Sequence, residues 1–207
     1  RSLAINPDNP SAQRNLAHAL LSTGMSQRGY VKAVTIMSLE QVLHDMEGAA
    51  RRFPRDAELY YVSIFGQPGA KEVWGWRVEG HHLAINFTIA NGNEISATPS
   101  FMGTNPAEVR EGTRKGLRVL AAEEDLGRQL VKSLTDEQRK IATYTNAAPA
   151  DVITGAERKV NALATTGLAA SRMNKDQSKL LLELIREYVY RHRPEVADHD
   201  LEKIRKA

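Results

Sequence analysis

The stretch VWGWRVEGHHLAINFTIANG, residues 73–92, constrains the fold more than any other part of the chain. Its bulky apolar residues fall first on even positions (Trp74, Trp76, Val78) and then on odd ones (Leu83, Ile85, Phe87, Ile89). A strand has a side-chain period of two, so one face cannot collect even residues and then odd ones along an unbroken strand. One extra residue, or a turn, must therefore lie between Val78 and Leu83. Gly80 is the natural place for it, as a β-bulge or as a tight bend between two strands. Adjacent residues on a regular strand point to opposite faces, but beside a bulge or bend two neighbours can lean together. His81 and His82 are thereby placed to act as a pair.

The segments around this stretch fit a small sheet. LYYVSIFG precedes it, and Asn91-Gly92 offers a hairpin turn into a short strand in EISATPSF. The connections are too short for parallel crossovers, so the strands are expected to be antiparallel. Helices are expected on either side. Asn9-Pro10 opens a first helix that ends at Gly24. A second starts near Ser26, with Val31, Val34, Met37, Leu39, Val42, Leu43 and Met46 largely on one side, and RRFPRDAE breaks it. After Gly103, TNPAEVREGTRKGLRVLAAEEDLGRQLVKSL predicts a helix with Asn105-Pro106 at its start. Thr135 and Gln138 form a T-x-x-Q capping box for the next helix. The Ala-, Thr- and Gly-rich segment from Thr145 to Asn174 reads as mostly loop, and KDQSKLLLELIREYVYRHR and a Pro194 start give two final helices. Three of these helices begin alike, with SAQ, TDEQ and NKDQ, without amounting to a repeat.

The expected architecture is α+β, a small antiparallel β-meander packed against a set of amphipathic helices. It is read as a single domain over residues 1–207, with helices at about 10–50, the sheet at about 58–101 and helices again at about 105–207. A chain of 207 residues buries on the order of 70% of its unfolded surface, so its core needs no disulfide or metal. The opening RSLAINPDNPSAQ lacks Met and a signal-peptide core, and DLEKIRKA resembles an interrupted helix without a C-cap glycine. Truncation at the C-terminus is the expectation.

Composition narrows the chemistry. The chain has no cysteine, which excludes disulfides, thiol nucleophiles and thiolate metal sites and leaves His, Asp and Glu as ligands. A net charge of +3 marks no basic patch, and aromatic–basic interleaving is missing, so nucleic-acid binding is not expected. No apolar run approaches a membrane span. Nor is there a GxSxG elbow, a P-loop or a GxGxxG between strand and helix.

His81 and His82 are the candidate metal ligands, suited as neutral imidazoles to a transition metal such as zinc, copper or iron. Glu79 and Arg77 are the candidate catalytic groups, orienting charge around that centre. The other histidines make poor partners: His18 and His44 lie on predicted helices, and His192 and His199 lie in a charged tail across Pro194. Each assignment has a plainer counterpart. The two imidazoles can be one structural and one exposed histidine, Arg77 and Glu79 a surface ion pair, and Trp74 and Trp76 core residues. Arg55-Asp56 reads as a polar turn entering the sheet near Tyr60 and Tyr61. The helix start at Gly103-Thr104-Asn105-Pro106 could hold a carboxylate or phosphate, although most such ends cap themselves.

The segments VTIMSLEQVL, RDAELYYVSIFGQP, WGWRVEGHHLAINFTI, PSFMGTNPAEVREGTRKGLRVLAAEE and SLTDEQRKIA together resemble the domain of unknown function family 3500. The likeness runs from about Ser11 to Ala207, and its most specific block is Arg55 to Leu120. The family label carries no established activity. The resemblance implies that members continue past this chain's end into a further sheet-forming segment with an HxH motif, a source of additional metal ligands. It also implies export from bacteria, to the periplasm or beyond. Two hypotheses follow: a metal-dependent enzyme, or former enzyme, using the His81–His82 pair, and a non-catalytic domain that binds a small molecule or a protein.

Overall fold

The structure, a computed structural model, describes residues 10–50, 52–155, 164 and 166–206. Two compact units emerge, one built from residues up to 121 together with those from 186 onward, the other from residues 122–185.

The first unit is α+β. Helices α1 (Pro10–Gly24) and α2 (Gln27–Glu47) precede strands β1 (Tyr60–Phe65), β2 (Trp74–Gly80), β3 (Leu83–Ala90), β4 (Glu94–Ser96) and β5 (Ser100–Met102). All strand pairings are antiparallel, in the order β1-β2-β3, with β4 and β5 both pairing with β3. The expected EISATPSF strand is thus two short strands, broken around Thr98-Pro99 because proline lacks the N–H that a ladder needs.

The parity switch is a hairpin rather than a bulge. Gly80 pairs with Leu83, Val78 with Ile85 and Trp76 with Phe87, and His81-His82 form the two-residue loop. A two-residue loop pairs each even residue of one strand with an odd residue of the next, and paired residues share a face. That face carries the core. Val78, Leu83 and Ile85 are fully buried, Trp76 stacks on Phe87 with ring centroids 4.5 Å apart, and Leu21, Ala33 and Ile36 of the two helices close over them. Each fully buried side chain of this size contributes roughly 1.5–3 kcal/mol.

The buried stripe of α2 differs from the one expected. It runs through Gly29, Lys32, Ala33, Ile36, Met37, Leu39, Glu40 and Leu43, whereas Val31 and Met46 are exposed. Two charges were hidden in that stripe, and each is neutralised inside the fold. Lys32 meets Glu187 at 2.5 Å, a carboxylate that Arg28 also reaches at 2.7 Å, and Glu40 lies at the hairpin tip. At the N-terminus of α2, Ser26 caps Gly29 N–H and donates to the carbonyl of Tyr190 at 2.7 Å. Gly29 is required there, since a Cβ would fall 1.9 Å from the Arg191 carbonyl oxygen. Helix α6 (Pro194–Lys206) completes this unit.

A helix from Asn105 is not formed. Residues 103–120 are turns and irregular backbone, and α3 begins at Ala121 and runs to Ser133. Gly112 and Gly116 take positive φ, and Val109 is buried by a loop that folds back on itself, with Gly116 N–H donating to the Val109 carbonyl at 2.7 Å. The anion site weighed against simple capping at that helix start has no helix to build it.

The second unit holds the rest of α3, α4 (Asp136–Ala142) and the larger part of α5 (Lys175–Val189). The Thr135–Gln138 capping box forms as expected, and Asn174–Gln177 makes a second reciprocal pair of the same kind. The two glutamine amides then bond each other in both directions, at 2.8 and 3.0 Å. Their remaining N–H groups donate to the carbonyls of Arg172 and Ser133. The similar starts TDEQ and NKDQ therefore meet in space.

Candidate functional site

The hairpin tip gathers polar side chains from three elements. Its loop exists because β2 and β3 must turn within two residues to keep Val78 and Ile85 on one face. His82 adopts φ of 60° to do so, a conformation uncommon outside glycine. Gly80 leaves room for Tyr60, whose ring would meet a Cβ there at 2.4 Å. The Tyr60 hydroxyl donates to the His81 carbonyl at 2.7 Å, and Gly103 N–H donates to the His82 carbonyl at 2.8 Å. Backbone bonds thus fix both loop residues, and their imidazoles converge, centroids 4.0 Å apart and tilted by 48°.

Helix α2 supplies the charge. Glu40 is buried, at 4% exposure, and its carboxylate is hydrogen-bonded to His81 Nδ1. Arg55, from the polar turn before β1, lies beside both, its Nη1 3.8 Å from Glu40 and 3.5 Å from His81 Nδ1. It is anchored by a two-pronged bond to Glu47, at 2.9 and 2.8 Å. That carboxylate holds the guanidinium still more firmly charged, against the opposing effect of burial. Burial, and then the Glu40 charge, push the Tyr60 phenol well above its ordinary range, so it remains a donor. His82 is displaced downward, first by burial and then by neighbouring His81. Near neutral pH it is an uncharged imidazole.

This arrangement orients one ring for chemistry. An ionised carboxylate only accepts hydrogen bonds, so Glu40 places a proton on His81 Nδ1. In the neutral ring the lone pair then sits on Nε2, and the side chain is about a third exposed (37%). Arg77 and Glu79 lie on the other face of β2, away from the Trp76–Val78 core face, and bond each other at 2.7 Å. Arg77 also stands over the Phe65 ring, 5.4 Å from its centroid. The partners the fold brings to His81 are instead Glu40, Arg55 and Tyr60. Glu40 carried one legible signal, a lone carboxylate in the apolar stripe of α2. Among the described residues no group of three or more His, Cys, Asp or Glu is disposed to hold a metal ion.

Of the other histidines, His192 departs most from expectation. It is buried rather than part of an exposed tail, because the backbone at 190–193 pairs with residues 24–26 at the start of α2. The ring lies edge-on to Phe87, with centroids 5.7 Å apart.

The model of a protein family described as Protein of unknown function (DUF3500) matches residues 7–207, essentially the whole chain. The chain belongs to this family. Membership accounts for the likeness of the GHH block and its flanks, and it brings no assigned reaction with it. No curated protein and no solved structure matches the chain. Among the described residues no helix is long and apolar enough to cross a membrane.

Proposed function

We propose that the hairpin tip is an acid–base centre acting on a small polar substrate, with His81 as the proton-transferring group and Glu40 as its positioning residue. The observation that carries this reading is the buried Glu40 carboxylate on Nδ1, which fixes the tautomer and leaves Nε2 as the basic nitrogen of a side chain that is about a third exposed. A carboxylate behind an imidazole is the arrangement by which enzymes orient a general base and stabilise the charge it acquires. Arg55 and neutral His82 flank the ring as a cationic and an uncharged donor, suited to a substrate that develops negative charge. Hydrolysis of p-nitrophenyl acetate, a reaction that an oriented imidazole accelerates, provides the test. His81→Gln and Glu40→Gln should each lower the second-order rate by roughly tenfold or more, within the usual range for general-base groups. Rates equal to wild type in both variants would remove the centre and favour the non-catalytic binding domain.

A second reading draws on the contact between the two imidazoles. Metal-ligating histidines usually give their other ring N–H to a carboxylate, as His81 does to Glu40. His81 and His82 would then be two ligands of a zinc, copper or iron site whose third ligand lies outside the described residues. Titration with cobalt(II) separates the readings. A visible d–d band near one equivalent that His82→Ala abolishes supports the metal, and a featureless spectrum leaves the acid–base centre.

A further inference from the structure

A separate cavity of about 360 Å³ lies between the β4–β5 edge of the sheet and the 188–204 segment of the first unit. Its walls include Ser100, Val189, His192, Asp200, Lys203 and Ile204. Ser100 pairs with Ile85 across the ladder, so its side chain faces the helix-covered side of the sheet. The Ser100 hydroxyl and both ring nitrogens of His192 are buried and find no hydrogen-bond partner among the described residues. His192 is itself 6% exposed. Buried polar groups are almost always paired, and here two of them line one cavity. The hairpin tip, with Glu40, Arg55 and Tyr60 all engaged, has no counterpart to this.

We propose that this cavity is a second ligand site, which takes a small uncharged molecule combining an apolar face with an adjacent hydrogen-bond donor and acceptor, of the aromatic amide or azole class. A neutral imidazole offers one donor and one acceptor, and the serine hydroxyl offers both, which matches such an edge. Val189 and Ile204 provide the apolar wall. The lining also carries Asp200 with Lys203 and Arg191, and Arg191 is taken up over the Tyr188 ring, 4.3 Å from its centroid, so the buried groups left without a partner in the cavity, among the described residues, are the neutral ones. Burial depresses the basicity of His192, which keeps the ring in its two-way hydrogen-bonding form. The volume lies at the lower end of the range for small-molecule pockets and suits a single substituted ring.

Benzamide and benzoate are the probes, observed with the intact chain labelled with ¹⁵N-histidine. Benzamide should shift the His192 ring nitrogens saturably while leaving those of His81 and His82 unmoved, and benzoate should bind at least roughly tenfold more weakly. His192→Phe, which keeps a ring against Phe87, and the milder Ser100→Ala should each weaken benzamide by about tenfold in titration calorimetry, with folding verified by circular dichroism. No saturable shift, an affinity unchanged from wild type in both variants, or tighter binding of benzoate overturns the proposal. Shifts that spread to His81 instead would mean that the probe reads the hairpin tip, and would also overturn it.

Discussion

The two compact units hold themselves together by different means. In the sheet-bearing unit a continuous apolar core runs from Leu21 and Ile36 through Val78, Leu83 and Ile85, and the buried charges of α2, Lys32 and Glu40, are paired. In the unit of residues 122–185 the most deeply buried large side chain among the described residues is Gln177, at 1% exposure, held by four side-chain hydrogen bonds to Gln138, Asn174 and Ser133. Apolar burial is non-directional and tolerates some rearrangement. A closed amide network is directional, and removing one member leaves the others without partners. The first unit should therefore lose stability in proportion to volume removed, and the second in proportion to hydrogen bonds orphaned.

The largest expected effect is on the apolar side of this comparison. Ile85→Ala, at a fully buried position facing Val78, should cost about 3 kcal/mol in denaturant unfolding, the usual range for emptying a core site. A cost under about 1 kcal/mol would show that the core collapses around the gap and would blunt the contrast. Next comes Gln177→Ala. Orphaning Gln138, Ser133 and the Asn174 N–H should cost about 2 kcal/mol, read by hydrogen exchange as faster opening of α4 and the start of α5 with β2–β3 amides unchanged. Exchange that quickens equally in the sheet would dissolve the distinction between the units.

Acid sharpens it from another direction, because all six histidines lie outside residues 122–185. His82 and His192 both have folded-state values below the ordinary 6.5, chiefly through burial. As the pH falls the unfolded chain binds protons first, so the stability associated with these neutral rings is intact above about 6.5 and is lost as the pH drops through their depressed values. Hydrogen exchange at pH 7 and pH 5 should show the sheet unit weakening more than the helical one, and a uniform change would contradict this. The smallest effect belongs to His82→Gly. Relief of the positive φ should leave stability unchanged or raise it by up to about 1 kcal/mol, while metal or substrate binding that needs the second imidazole is lost. A drop in melting temperature would mean that the ring itself supports the hairpin.

Legibility in the sequence followed the range of the interaction that carried each feature. The hairpin was readable because its register depends only on side-chain period, and the parity change between Val78 and Leu83 leaves no alternative to a break. The Thr135–Gln138 cap was readable because it spans four residues. The helix assigned from Asn105 was misread: its apolar spacing and Asn-Pro start are local signals, and Gly112 and Gly116 instead let the chain wrap Val109 into a loop. At the candidate site His81 and His82 were visible as a pair. Their partners were not, since Glu40 lies 41 positions from His81 and Arg55 lies 26. The burial of His192 likewise depends on Ser26 and Gly29 receiving the 190–192 backbone, a contact across more than 160 positions.

By itself the sequence determined where the chain turns, which residues of β2 and β3 face inward and where several helices begin, because these are consequences of side-chain period, backbone freedom and capping within a few residues. Only the tertiary structure decided that a carboxylate from α2 stands behind His81, that Arg77 and Glu79 turn the other way, and that His192 ends up enclosed. Those outcomes rest on desolvation and charge pairing between distant segments, energies that exist only once the segments have met.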